Sequence, residues 1–216
     1  MPERLNICCL FDEVPLDRRS VVLKLFAVDP TWMGRPSKFM VLNIKTGMMT
    51  EGAWPLSDSV VQQSLENDLL FIYSDWTVGP NRSRSSISIK ETIGRAIYTL
   101  GLPISLLQQN MIGNMERRFF HIYEDAASIR KCSILIGPEL ELQSTQSAKE
   151  AISSALDPAS LATWIIAPAE YLPADARPFE PVRNDRGVVL LRHPDAGRRV
   201  GLSATAASED KDADRR

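Results

Sequence analysis

The sequence lacks both common signatures of a phosphate-binding loop. Neither G-x-x-x-x-G-K-S/T nor G-x-G-x-x-G occurs, and the 11 glycines all stand singly. Most of them lie where a turn or a helix end would need a glycine. A nucleotide site of either type is therefore not expected.

Metal ligands are also scarce. The two histidines, His121 and His193, are far apart, and no C-x-x-C pair occurs. Cys8 and Cys9 are neighbours, so on a strand they point to opposite faces and cannot jointly hold one ion. We interpret them, and Cys132, as small buried apolar residues. The sequence predicts neither a metal site nor a cofactor.

Disulfide, secretory and membrane patterns are missing as well. Three cysteines cannot form a complete disulfide framework. The N-terminal apolar run Leu5–Phe11 is short and contains Asn6, unlike the long apolar region of a signal peptide. No stretch approaches the roughly 18 apolar residues of a spanning helix. These features predict a cytoplasmic protein with no membrane partner.

The chain has no excess of charge of one sign. It contains 25 basic and 27 acidic residues, which gives a net charge of −2. This near balance removes the global electrostatic argument for binding nucleic acid or an anionic membrane, so only a local basic patch would support one. The 44% apolar and 24% charged residues are typical of a folded protein.

Strand and helix patterns alternate irregularly, without repeated βαβ units, which predicts an α+β fold. We expect a mixed, largely antiparallel sheet flanked by short amphipathic helices. Ser20–Val28 fits a strand or a helix, with its length and β-branching favouring a strand. The other predicted strands are Leu5–Phe11, a hairpin of Lys38–Thr46 and Met48–Trp54 that turns at Thr46-Gly47, Leu69–Trp76, Arg117–Asp125 and Ser133–Ile136, with a terminal hairpin of Val188–Leu191 and Arg198–Leu202.

Helical spacing of apolar residues predicts the helices, and Thr77–Ser86 is predicted to be a polar loop. Ser147-x-x-Glu150 is a capping box that opens one helix. The other predicted helices are Ser57–Glu66, one carrying Ile93, Ala96, Ile97 and Leu100, one from Pro103 with Ile104, Leu107, Met111 and Met115, and one with Leu161, Trp164 and Ile165.

Three regions are expected along the chain. Residues 1–166 form the main α+β domain, and 167–202 are a proline-rich segment and a terminal hairpin that pack on it. Residues 203–216 are small and highly charged, and cannot bury enough surface to offset their ordering entropy. We expect this tail to be disordered.

Exposed tryptophan and methionine candidates indicate a surface that binds another protein. Such residues are favoured at interfaces because they bury much area and methionine adapts its shape. The alternative is that they fold back over the core. The candidates are Trp32 and Met33 in a Pro/Gly loop, Met48 and Met49 after a tight turn, and Trp54 before Pro55.

His121 is the candidate for acid–base chemistry. On a strand it shares a face with Tyr123 and Asp125, and on a helix Glu124 and Asp125 lie three and four residues on. A neighbouring carboxylate would raise its pKa, as in general acids and bases. The alternative is a histidine paired for structural reasons. His193 stands in a Pro-Asp-Ala-Gly turn and is expected to be exposed.

Four arginines form a possible nucleic-acid surface. Arg82 and Arg84 alternate with Asn81 and serines, which suits contact with phosphates, and Arg117-Arg118 add two cations. Against this, basic residues are spread along the chain and interleaved with acids.

The favoured hypothesis is a non-enzymatic accessory or regulatory protein that acts through protein–protein contacts, as an inhibitor, adaptor or chaperone-like factor. Catalytic and cofactor motifs are lacking, whereas candidate contact residues are present. The alternatives are a nucleic-acid-binding protein that uses the arginines and an enzyme centred on His121.

Overall fold

A computed structural model describes residues 4–26, 38–42, 46–53, 59, 71–78, 81–92, 94–104, 107, 112–143 and 145–202. None of the helices in this part of the chain is both long enough and apolar enough to cross a membrane.

Ten strands form one sheet in which all the pairings are antiparallel. The order across the sheet is β3-β2-β4-β5-β6-β1-β7-β8-β10-β9. The predicted α+β class, with a largely antiparallel sheet, is therefore confirmed. The strands are β1 Arg4–Phe11, β2 Lys38–Leu42, β3 Met49–Ala53, β4 Phe71–Val78, β5 Asn81–Thr92, β6 Arg95–Pro103, β7 Cys132–Pro138, β8 Trp164–Pro168, β9 Glu180–Asp185 and β10 Val188–Arg192.

Short helices flank the sheet. They are α1 Arg18–Phe26, α2 Ile112–Ala127, α3 Ala148–Ala155 and α4 Ala196–Arg199, with a 3₁₀ turn at Ala169–Tyr171. The capping box predicted for α3 is confirmed: the Ser147 hydroxyl accepts from the Glu150 backbone N–H, and the Glu150 carboxylate accepts from the Ser147 backbone N–H.

Strand β1 lies at the centre of the fold and divides the core between the two faces of the sheet. Ile7 and Cys9 belong to a cluster under α1 and α2, whereas Cys8 and Leu10 belong to a second cluster under α3. This division follows from strand geometry, because successive side chains point to opposite faces. Both faces of β1 are apolar, as befits a strand buried on two sides.

Several predicted elements are confirmed. Leu5–Phe11 falls within β1, Ser133–Ile136 within β7, and most of Leu69–Trp76 within β4. The predicted hairpin is β2–β3, and Gly47 has φ +68°, which glycine adopts without a steric penalty. The predicted helix Ser57–Glu66 and the tail lie outside the described residues, apart from Ser59.

Several predictions about elements were wrong. Ser20–Val28 was favoured as a strand but falls largely in helix α1, and the predicted loop Thr77–Ser86 is mostly strand. The predicted helix around Ile93–Leu100 is replaced by strand β6, and the predicted strand Arg117–Asp125 lies in helix α2. Trp164 and Ile165 were assigned to a helix and instead begin strand β8.

The segment after residue 166 extends the same sheet. Strand β10 pairs with β8 on one side and with β9 on the other, so the observed hairpin is β9–β10 rather than one that pairs Val188–Leu191 with Arg198–Leu202. Arg198 lies in helix α4 instead. Phe179 packs into the second core cluster.

Candidate functional site

The β2–β3 hairpin presents two methionines to solvent at one end of the sheet. Met48 is 68% exposed and Met49 is 50% exposed, and both follow the turn that contains Gly47. The Met48 backbone N–H donates to the Thr46 hydroxyl over 3.3 Å, which holds the turn. Trp32, Met33 and Trp54, the other predicted contact residues, lie outside the described residues.

The two outer strands of the sheet differ in how their edges are protected. Strand β9 carries Pro181 and several charged residues, and its register with β10 shifts between Leu190 and Leu191. Proline, charge and register irregularity all discourage another strand from pairing with an edge. Strand β3 has a continuous register with β2, contains no proline, and has Glu51 as its one charged residue. Among the described strands, none pairs with the outer edge of β3.

His121 lies on the exposed side of helix α2. Its Nδ1 is 2.9 Å from Glu124 Oε2, and the two side chains are 64% and 49% exposed. The helical alternative from the sequence is therefore the one observed. Tyr123 is buried in the first core cluster, so it and His121 lie on different sides of the helix. Asp125, the other predicted carboxylate, is exposed, and one of its oxygens lies 3.8 Å from Lys24 Nζ.

The four candidate arginines lie on two different elements. Arg82 and Arg84 belong to strand β5, opposite Thr77 and Asp75 of β4. Arg117 and Arg118 belong to helix α2, where Arg117 is exposed and Arg118 is half-buried. The predicted loop at Arg82 and Arg84 and the predicted strand at Arg117 and Arg118 are therefore wrong as element assignments.

The three cysteines are buried and unpaired, as the sequence predicts. Burial raises the pKa of Cys8 and of Cys132 to about 12, and raises the pKa of Cys9 as well. A thiol with such a pKa is protonated at neutral pH and is a poor nucleophile. In the part of the chain that the structure describes, no group of three or more His, Cys, Asp or Glu side chains is arranged to hold a metal ion.

His193 was predicted to be exposed, and this was wrong. The ring is 6% exposed and meets Phe179 edge-on with a centroid separation of 5.3 Å. Its Nε2 lies 2.9 Å from Arg199 Nη2, and its Nδ1 lies 3.1 Å from the Asp195 backbone nitrogen. Burial, followed by the cation of Arg199, lowers the pKa of His193. A neutral ring therefore fits this position.

Arg199 also borders a pocket that the sequence analysis missed. The pocket has a volume of about 590 Å³ and opens to solvent. The lining residues come from the end of β7, the loop between α3 and β8, and helix α4: Pro138, Glu139, Pro158, Ala159, Ser160, Leu161 and Arg199. The sequence signal for it is the basic pair Arg198-Arg199, which falls in the predicted hairpin strand Arg198–Leu202.

Comparison with known proteins identifies no family for this chain. No protein-family model matches the sequence, and a search of curated proteins gave no match. Among solved structures, the chain is similar to the Pseudomonas aeruginosa T6SS protein PA0821, with a TM-score of 0.45 and 13% sequence identity. The aligned region covers 88% of this chain and 66% of that chain. A likeness of this degree carries no information about function.

Proposed function

We propose that this protein is a non-enzymatic accessory or regulatory factor that binds another protein through the β2–β3 hairpin. The observation that carries the proposal is the exposure of Met48 and Met49 beside the outer edge of β3, with which no described strand pairs. Neighbouring exposed methionines suit an interface, because the side chain is apolar and adapts its shape to a partner. Whether the factor is an inhibitor, an adaptor or a chaperone follows from the identity of that partner.

The mode of binding is the addition of a strand to β3. Backbone N–H and C=O groups on the free edge of a sheet provide hydrogen bonds for an extended segment of another chain, and side-chain pockets supply specificity. Strand β3 is five residues long, which accommodates a short peptide segment. Unlike β9, strand β3 contains no proline and keeps a continuous register with its neighbour, so the proposal assigns the binding edge to β3 rather than to β9.

A cytoplasmic location is part of the proposal. Cys8, Cys9 and Cys132 are all free thiols, which is the state that reducing compartments maintain.

Site-specific photo-crosslinking tests the proposal directly. A photoreactive amino acid replaces Met48 in one variant and Leu16 in a control, since Leu16 is 99% exposed and precedes helix α1. Expressed in cells of the source organism, the Met48 variant is expected to form one prominent adduct with a different protein, and the Leu16 variant is not. Adding Met49→Glu to the Met48 variant should remove this adduct without changing the circular dichroism spectrum.

Two outcomes would contradict the proposal. Identical adducts from both positions would show non-specific capture, and an adduct consisting only of two copies of this chain would show self-association. An enzyme or a nucleic-acid-binding protein would give neither the Met48-specific adduct nor its loss on Met49→Glu.

A further inference from the structure

The guanidinium of Arg199 is held in place by neutral groups. Its Nη1 donates to the backbone oxygens of Ser160 and Ala162 over 2.9 and 2.6 Å, and its Nη2 lies 2.9 Å from the His193 ring. The nearby carboxylate of Asp195 pairs with Arg198 instead. Within the described residues, Arg199 has no ion pair with a carboxylate.

This leaves a half-buried positive charge that no carboxylate contacts directly, although Asp195 acts on it from nearby. Burial lowers the pKa of Arg199, which shows that its surroundings disfavour the cation. A partly desolvated charge is stabilised by an opposite charge with good hydrogen-bond geometry. A guanidinium has five N–H donors, and the contacts above account for at most three of them, so donors remain for a ligand in the pocket.

Three backbone donors of the loop that forms the pocket wall are used within the loop. The Ala159 N–H donates to the Asp157 carboxylate, the Ser160 N–H to the Asp157 backbone oxygen, and the Ala162 N–H to the Ser160 hydroxyl. Arg199 therefore supplies the positive character of the pocket.

The wall beside Arg199 is apolar. Leu161 is 53% exposed although it lines the pocket, and Pro138 and Pro158 add further apolar surface. Glu139 lines the same pocket and repels anions there, so the single cation of Arg199 favours a ligand with no more than one negative charge.

We propose that this pocket binds a single carboxylate attached to an apolar body. The carboxylate accepts hydrogen bonds from Arg199, and the apolar body covers Leu161 and the prolines. Charge-assisted hydrogen bonds of this kind are about twice as strong as neutral ones. Both a free carboxylic acid and the C-terminal carboxylate of a peptide have this chemistry. The pocket is separate from the β2–β3 hairpin, and this proposal does not depend on the proposed function.

Binding of N-acetyl-L-leucine, compared with its amide, N-acetyl-L-leucinamide, tests the proposal. Titration followed by two-dimensional NMR is expected to show saturable shifts of the Ser160, Leu161 and Arg199 amides with the acid, and affinity at least about tenfold weaker for the amide. Equal affinity for the acid and the amide would overturn the proposal.

A peptide arm distinguishes the two sources of carboxylate. A pentapeptide that ends in leucine is used with a free or an amidated C-terminus. Binding of the free-acid peptide as well as of N-acetyl-L-leucine assigns the pocket to chain termini, and binding of N-acetyl-L-leucine alone assigns it to small acids. Binding of neither would overturn the proposal.

The Leu161→Glu variant keeps Arg199 and its loop contacts while placing a carboxylate at the pocket. Because Leu161 is largely exposed, this variant should fold, and it should bind N-acetyl-L-leucine at least about tenfold more weakly since the new acid repels the ligand and engages Arg199. Leu16→Glu is the matched control, in which an equally apolar exposed residue far from the pocket receives the same charge. Equal affinity in the two variants would overturn the proposal.

Discussion

The indole nitrogen of Trp164 donates a hydrogen bond to Glu116 Oε1 over 2.9 Å, which joins strand β8 to helix α2 inside the core. The same oxygen lies 3.3 Å from Arg192 Nη1, so β10 shares the contact. Trp164 is fully buried and Glu116 is 5% exposed. A buried carboxylate is tolerated here because it is both hydrogen-bonded and paired with a cation.

Removing the Glu116 carboxylate should therefore be costly. In Glu116→Ala the Trp164 N–H is left buried without this acceptor, and Arg192 loses a counter-charge. We expect the free energy of unfolding to fall by about 2–4 kcal/mol, as measured by urea denaturation. Glu116→Gln keeps an acceptor for the indole and should lose less. A Glu116→Ala protein as stable as the parent would show that the contact contributes nothing.

The stability of the protein should fall on mild acidification because of His193. A histidine in the unfolded chain titrates near 6.5, and burial together with the cation of Arg199 lowers the pKa of the folded ring. The folded state therefore binds the proton less readily than the unfolded state. The contribution of the neutral ring to stability is present above pH 6.5 and is lost as the pH falls from 6.5 toward the folded pKa.

The chain has only two histidines, which gives a matched control for this pH dependence. Urea midpoints measured between pH 7.5 and 5.5 should fall in the parent protein and in His121→Ala. The fall should be much smaller in His193→Gln, which has no imidazole to protonate. If the fall disappeared in His121→Ala instead, the pH dependence would come from His121, which would contradict the prediction.

Two glycines should respond differently to alanine. A Cβ on Gly137 of strand β7 would collide with the backbone carbonyl of Leu161, whereas a Cβ on Gly47 meets nothing and only the positive φ opposes it. We expect Gly137→Ala to cost about 2–3 kcal/mol because strand and loop must separate. Gly47→Ala should cost about 1 kcal/mol from the left-handed backbone alone. Thermal unfolding of both variants checks the order, and a more harmful Gly47→Ala would contradict it.

The thiols should be protected in the folded protein. Cys8, Cys9 and Cys132 are buried and carry raised pKa values, so both access and thiolate formation are disfavoured. An aromatic disulfide reagent at pH 8 should therefore react slowly with the native protein. In denaturant the same reagent should label all three thiols rapidly. Rapid labelling of any thiol in the native protein would be inconsistent with this packing.

Local signals in the sequence predicted the elements that depend on local chemistry. The capping box at Ser147 and Glu150, the turn at Gly47 and the apolar run of β1 each specify their structure through neighbouring residues. These elements were predicted correctly because little in the tertiary structure opposes the local preference.

Strand β6 and helix α2 were each predicted as the wrong type of element. Ala96, Ile97 and Leu100 have helical spacing, but in β6 they fill both faces of a strand, so the apolar residues do not alternate with polar ones. Helix α2 was mistaken for a strand because the aromatic run Phe119-Phe120 has high β-propensity. The helical spacing of the apolar residues of α2 becomes visible only over its full 16 residues, from Ile112 to Ala127.

The candidate sites likewise divide into those with a local sequence pattern and those formed by distant contacts. Met48 and Met49 were found because a turn followed by apolar residues is a local pattern. The burial of His193 depends on its contact with Phe179, and the pocket at Arg199 depends on contacts with the loop before β8. In both cases the contacting residues are distant in sequence. No local pattern indicates such contacts.

Hydrogen–deuterium exchange of the complex with the cross-linked partner tests the central claim most directly. If that partner adds a strand to β3, amide exchange in Met49–Ala53 should slow markedly on binding, while exchange in Glu180–Asp185 at the opposite edge stays unchanged. Unchanged exchange in Met49–Ala53, or protection confined to another surface, would contradict the claim that the hairpin is the binding edge.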